Sequence, residues 1–149
     1  KWCSYELVNQ VTKDGFNCLI NTCCNSPEIA LYILKSKWCN KELVNQVAKN
    51  GYTCLINASG LSSELAIDIV KYILESEWCT QELVNQVLDC GFNCLMNACY
   101  NNLEIVKYIL DSKWCNKELV NQVDEYGKNC LDLAKKYNII PVYLDDFDP

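Results

Sequence analysis

One string of residues returns four times along this chain. Trp2-Cys3, Trp38-Cys39, Trp78-Cys79 and Trp114-Cys115 stand 36, 40 and 36 residues apart. Two residues after each pair comes the same run, Glu6 to Val11, Glu42 to Val47, Glu82 to Val87 and Glu118 to Val123. Four residues beyond each run stands a glycine, Gly15, Gly51, Gly91 or Gly127, followed by one variable residue, a helix-capping residue and a Cys-Leu pair. A fixed period of this length marks a repeat architecture, in which a unit too small to bury its own apolar face stacks on its neighbours to share one core. With 149 residues, half of them apolar, the chain fits one short array rather than several independent domains.

Within the unit, Asn17, Thr53, Asn93 and Asn129 are residues whose side chains accept hydrogen bonds from the free N–H groups of a starting helix. Helix A is therefore expected to begin just after them and to run about two turns. In the first copy Asn25-Ser26-Pro27 then ends it, with Ser26 as the next cap and Pro27 at the first helical position, where its missing N–H does no harm. Helix B follows, antiparallel to A. In the third copy Ile105, Ile109 and Leu110 share one face, with Glu104 early and Lys107 late as the helix dipole prefers. The second copy carries four extra residues around Gly60 to Leu65, which predicts a helix B one turn longer. The remaining segment opens on Ser4, Asn40, Thr80 or Asn116 and reads either as a third short helical turn or as extended chain. Its Leu and Val residues and the tryptophans are expected in the core between repeats.

Twelve cysteines suggest a disulfide-stapled domain, but their spacing opposes it. Eight fall at two repeated positions, Cys3, Cys39, Cys79 and Cys115 after the tryptophan and Cys18, Cys54, Cys94 and Cys130 before a leucine. Equivalent positions in stacked helices lie about 8–10 Å apart, whereas a disulfide needs Cα atoms within roughly 7 Å. Like does not bridge to like, and each is expected as a small buried hydrophobe in a reduced, intracellular, cytoplasmic protein. Cys24 and Cys90 break the pattern and are expected to be the exposed thiols.

Gly51-Tyr52-Thr53-Cys54-Leu55-Ile56-Asn57-Ala58 and Glu104-Ile105-Val106-Lys107-Tyr108-Ile109-Leu110 resemble the first and second helices of an ankyrin repeat. Asp124-Glu125-Tyr126-Gly127 resembles the turn before the first helix, and the likeness runs across the whole chain. In its Asn-, Ile-, Lys- and Tyr-rich flavour the sequence is similar to the divergent ankyrin arrays of large DNA viruses. The resemblance implies an all-α fold, an ankyrin-like solenoid of stacked antiparallel helix pairs with long connecting loops. The family's Thr-Pro-Leu-His is replaced by Asn17-Cys18-Leu19-Ile20 and its counterparts, which leaves only the cap, and the glycine that usually ends helix B is missing. Repeats of 36 and 40 residues exceed the usual ~33, and the excess is expected in the hairpin loop. The array then divides into 1–15, the end of a preceding repeat; 16–51, a repeat; 52–91, a repeat with the four-residue insertion; 92–127, a repeat; and 128–149, a C-terminal capping repeat with an acidic tail. Pro141 and the run Asp145 to Pro149 imply that the last helix B is short or absent.

Catalytic chemistry is hard to assemble here. The chain has no histidine, which removes the commonest general base and metal ligand. Cys90 and Cys94, or Cys18 and Cys23, lack a second pair at zinc-site spacing. No glycine-rich phosphate loop occurs, so no cofactor, metal or catalytic residue is expected and the chain is read as a non-enzyme. A net charge of -6 argues against nucleic acid, and apolar runs are far shorter than the ~18 residues of a membrane span.

Binding to a partner protein remains, and the resemblance places it on the turn tips and the outer side of helix A. The repeated six-residue run is identical in all copies while the tips vary, as expected of scaffold and contact surface. Candidate tip residues are Lys13, Asp14 and Phe16, then Lys49, Asn50 and Tyr52, then Asp89 and Phe92, and last Glu125 and Tyr126. The row Phe16, Tyr52 and Phe92 offers aromatic anchors, or else covers the ends of helix A. Asn21, Asn57 and Asn97 offer hydrogen bonds from helix A. The expected protein is a monomeric interaction scaffold with an unknown protein partner, a host protein if the viral likeness holds. Alternatives are a substrate-recruiting adaptor within a larger protein, a structural or assembly protein, and, suggested by the cysteines, a thiol-redox or metal protein.

Overall fold

Each cap residue singled out in the sequence opens a helix in the computed structural model, which describes residues 4–136. The first Trp-Cys pair, Tyr137 and the acidic end lie outside those residues. Among the described residues there are eleven α-helices and no strand. Helix A of successive copies is α2 (Cys18–Asn25), α5 (Cys54–Ser59), α8 (Cys94–Asn101) and α11 (Cys130–Lys136), and helix B is α3 (Pro27–Leu34), α6 (Glu64–Glu75) and α9 (Leu103–Leu110). A short third helix follows B in each copy and also begins the described chain: α1 (Tyr5–Val8), α4 (Lys41–Val44), α7 (Gln81–Asn85) and α10 (Lys117–Asn121). The A helices pack in one row and the B helices in another, with α2, α5 and α8 each also against its own B, so the described residues form a solenoid two helices deep.

Local chemistry sets these boundaries. Asn17, Thr53 and Asn93 accept from the N–H three residues on, at 2.8, 3.1 and 2.9 Å. Asn129 accepts from Leu131 and Asp132 while Asp132 accepts from the Asn129 N–H, a reciprocal cap. Ser26, expected to cap α3, makes no side-chain cap bond, and Pro27 alone sets that start. The second copy does gain one turn, since α6 has 12 residues against 8 in α3 and α9. In the first and third copies the hairpin loop is a single residue, Ser26 between α2 and α3 and Asn102 between α8 and α9, whereas in the second copy residues 60–63 join α5 to α6. In the first and third copies the excess therefore lies between helix B and the turn, in the segment that carries the third helix. Helix B ends without glycine because Ser36, Ser76 and Ser112 turn back and donate to the carbonyls of Ile33, Ile73 and Ile109 at 2.8, 2.8 and 2.7 Å.

The core is continuous. Leu19, Ile20, Leu55, Ile56, Leu95 and Met96 from the A helices meet Ile69, Ile73, Ile105 and Ile109 from the B helices, all fully buried. Each such side chain contributes roughly 1.5–3 kcal/mol by leaving water. The third helices, of four or five residues, are too short to persist alone. Their leucines and valines are buried from the second copy on, and their polar residues tie neighbours together. Asn9 and Asn85 donate to Glu42 and Glu118 of the next copy at 3.2 and 2.7 Å. Gln46 and Gln122 donate to the carbonyls of Gly15 and Gly91 in the preceding turn at 3.1 and 3.2 Å. From Leu43 on, the leucine and first valine of the run face the core and its asparagine or glutamine meets an adjoining copy, whereas its last valine, expected in the core, lies exposed as Val11, Val47 and Val123. Asn9 Oδ1 is buried without a partner, whereas Asn45 Oδ1 accepts from Thr80 and Asn85 Oδ1 from Asn116; Asn40 turns its amide to the Trp38 carbonyl instead.

Candidate functional site: the turn tips and the helix A groove

Each turn closes with two backbone hydrogen bonds, as in Ala48 N–H to the Tyr52 carbonyl and Gly51 N–H to the Ala48 carbonyl, at 2.9 and 3.1 Å. The glycines adopt φ between 73° and 85°, which L side chains rarely reach. Asn50 joins them at φ 52°, a conformation that asparagine tolerates better than most residues. The turns are also bonded to one another. Lys49 N–H donates to the Asp14 carbonyl, Asp89 to Asn50 and Glu125 to Cys90, at 2.8, 3.2 and 3.0 Å. This ladder puts Lys13, Lys49, Asp89 and Glu125 in one row, and the ridge runs from basic to acidic along the stack. Among the described residues only Lys49 and Asp14 are paired on it, at 3.4 Å and well exposed, a contact of small energetic value. Lys13, Asp89 and Glu125 have no side-chain partner among the described residues, and Tyr126 is 78% exposed.

Behind the ridge the aromatic row is half-buried and broken. Phe16 and Tyr52 lie 5.9 Å apart, centroid to centroid, whereas Phe92 stacks at 5.6 Å on Tyr100 of α8. All of these rings also pack on the core. Phe92, Tyr100 and Tyr126 line a groove of about 520 Å³ together with Lys128, Asp132 and Lys136. Tyr100, Lys128, Asp132 and Lys136 were not singled out in the sequence. Tyr100 occupies an A-helix position with no aromatic counterpart in the other copies, and the other three belong to a copy whose polarity reads simply as a solvated end. Asp124 shapes the last tip by accepting from the N–H groups of Tyr126 and Lys128, at 2.9 and 2.8 Å.

The three helix A asparagines part company. Asn21 is exposed, but Asn57 and Asn97 are half-buried and donate to the carbonyls of Ile20 and Ile56 in the preceding A helix, at 3.0 and 3.2 Å. Their amide nitrogens are spent on stacking.

The thiols are mostly withdrawn. Cys54, Cys94 and Cys130 are buried and donate to the carbonyls of Val44, Val84 and Val120 at 3.3, 3.5 and 3.3 Å. Burial pushes the Cys94, Cys99 and Cys130 thiols up to about 12, so none supplies a thiolate at neutral pH. Cys24 is exposed as expected, Cys90 is only half-exposed, and Cys18 departs from its buried counterparts by lying exposed. No group of three or more His, Cys, Asp or Glu side chains among the described residues is placed to hold a metal ion. Nor is any described helix long and apolar enough to cross a membrane.

Compared with known proteins, residues 62–143 match the family model for ankyrin repeats in three copies. No curated protein matches the chain.

Proposed function

This chain belongs to the ankyrin repeat family, and we propose that it is a non-enzymatic scaffold that holds a partner protein across its turn tips and the groove beside helix A. The observation that carries this reading is the backbone-bonded row of tips. It fixes a charged ridge, basic at Lys13 and Lys49 and acidic at Asp89 and Glu125, in front of a groove walled by Phe92, Tyr100 and Tyr126. Rigid aromatic walls supply contact area at low entropic cost, and rim charges orient the approaching partner. The partner best matched to this ridge is basic where it meets Asp89 and Glu125 and acidic where it meets Lys13. It places an apolar side chain between Phe92 and Tyr126. Burial of the thiols supports a structural rather than a redox role for most cysteines. We read the protein as an intracellular monomer, and the likeness to arrays of large DNA viruses makes a host protein the first partner to look for.

The test is quantitative capture from cell lysate by the wild-type chain beside two variants at exposed positions, Tyr126→Ser and the pair Asp89→Lys with Glu125→Lys. A partner that loses roughly tenfold or more in affinity to both folded variants, with the charge variant also altering the salt dependence of association, supports the reading. A partner held equally by all three chains removes the binding site from this face.

A further inference from the structure

The turn after helix B is built three times, as Lys35-Ser36-Lys37-Trp38, Glu75-Ser76-Glu77-Trp78 and Asp111-Ser112-Lys113-Trp114. Each half-buried indole lines a groove with a tyrosine of helix B on the other wall, Tyr32, Tyr72 and Tyr108 in turn. In the first and third turns the chain supplies its own cation. Lys37 Nζ lies 4.9 Å from the centre of the Trp38 ring, and Lys113 Nζ lies 4.8 Å from that of Trp114. The third is closed further by Trp114 Nε1, which donates to the Leu74 carbonyl at 2.8 Å.

The second turn reverses the charge. Glu77 stands where Lys37 and Lys113 stand in its sisters, and Glu75 stands where the first turn has Lys35. The result is a groove of about 410 Å³ walled by Tyr72 and Trp78, with Glu75 and Glu77 on its rim and no cation among its lining residues. Glu75 is fixed in place by the Tyr108 hydroxyl, which donates to it from the next copy. An aromatic face attracts an ammonium group through the ring quadrupole, and flanking carboxylates add charge complementarity.

We propose that this groove receives a lysine side chain from a basic segment of a partner protein, its ammonium seated on Trp78 between Glu75 and Glu77. In the two sister turns an ammonium from within the chain already lies over the equivalent indole. A net charge of -6 favours a basic partner over a second copy of this chain. The groove shares no residue with the turn tips or the helix A groove, so it is a second surface, independent of the reading above.

The test uses acetyl-Gly-Lys-Gly amide as probe and follows the indole N–H resonances of the 15N-labelled protein. A saturable shift of Trp78 is expected, with Trp38 and Trp114 about tenfold less responsive, and no response to the norleucine counterpart of the probe. Glu77→Lys will abolish the Trp78 response by seating an internal ammonium, and Lys35→Glu combined with Lys37→Glu will make Trp38 respond. Tyr126→Ser will leave the response unchanged. Equal shifts at all three indoles, an equal response to the norleucine probe, or a Trp78 response that survives Glu77→Lys in a folded protein would overturn the proposal. Should Glu77→Lys fail to fold, the gain or lack of a Trp38 response in the Lys35→Glu, Lys37→Glu double variant decides it.

Discussion

One cysteine position makes the same bond in every copy but differs in burial: Cys18 Sγ also donates to the carbonyl of a valine ten residues earlier, Val8, at 3.6 Å, yet lies exposed. Cys54, Cys94 and Cys130 fill the place where the family usually has proline, and each thiol reaches the carbonyl of a valine ten residues earlier. Their burial has a consequence for stability. A thiol whose folded pKa is raised stays protonated in the folded chain while the unfolded chain ionises near pH 9, so folding is penalised once the pH passes that value. The stability is complete below about pH 9 and falls between 9 and 12 for Cys94, Cys99 and Cys130, whose thiols are pushed up to about 12 by burial. Each contributes a loss of about 1.4 kcal/mol per pH unit across that window. Urea midpoints measured from pH 7.5 to 10.5 will hold level and then drop, and Cys94→Ala will soften the drop by one thiol's share; a level profile throughout would mean that these thiols ionise in the folded state. The burial of Cys39, Cys54, Cys79, Cys94 and Cys130 was legible from their regular spacing beside leucine and tryptophan, while Cys115 is only half-buried and Cys3 lies outside the described residues. The exposure of Cys18 was not legible, because it depends on which neighbouring copy covers it, and the local string around Cys18 matches that around Cys54. Asn57 and Asn97 were ambiguous for the same reason, since only the stack reveals the carbonyl each amide meets.

Among the elements, the turns bind sequence to structure most tightly. A Cβ placed on Gly51 would come 2.1 Å from the Val87 carbonyl oxygen and 2.9 Å from Leu88 Cα, and one on Gly91 would come 2.6 Å from the Val123 oxygen. The same atom on Gly127 meets nothing within 4 Å among the described residues. Gly127→Ala therefore costs only the left-handed backbone strain, about 1–2 kcal/mol, while Gly51→Ala adds a backbone collision that has to push neighbouring turns apart. Thermal unfolding followed by circular dichroism will place Gly51→Ala well below Gly127→Ala, and equal midpoints would show that the ladder of tips yields freely. The glycines, the caps of the A helices and the longer α6 could all be read from residue types at fixed offsets. The third helix could not be fixed, because four or five residues span too little of a helical period to separate a turn from extended chain. What folds it is the amide of Asn85 on Glu118 and that of Gln46 on Gly15, contacts between copies that no local pattern contains. The serine ends of helix B escaped notice for a related reason: Ser36, Ser76 and Ser112 do with a side chain what a glycine does with its backbone.

At the scale of the molecule the stack is nearly one-dimensional, and stability in such arrays is a sum over copies and their interfaces. Helix α5 has A-helix neighbours on both sides, α2 and α8, whereas α11 packs among the described residues against α8 and α10. The groove read as the partner's seat lies at that second place, lined by Asp132, Leu133 and Lys136 of α11. That the tips form the varied surface was visible in the sequence; that the groove sits at one end of the ridge was not, since it needs Tyr100 and two adjacent copies. Among the described residues α11 has fewer helix neighbours than α5, so local opening of α11 and α10 is expected to be easier than opening of the middle. Leu55 and Leu133 are both buried, at 0% and 3% exposure, so truncating either to alanine removes similar apolar contact. Leu55→Ala is expected to cost about 2–5 kcal/mol and to lower protection throughout the array. Leu133→Ala will instead speed hydrogen exchange in α10 and α11 and leave α2 close to wild type, as mass spectrometry of exchanged peptides will resolve. A partner seated in the groove binds only the closed end, and so restores protection there in proportion to its free concentration over Kd. Uniform acceleration of every helix by Leu133→Ala would mean one cooperative block, and a partner would then stabilise the whole stack at once rather than its end.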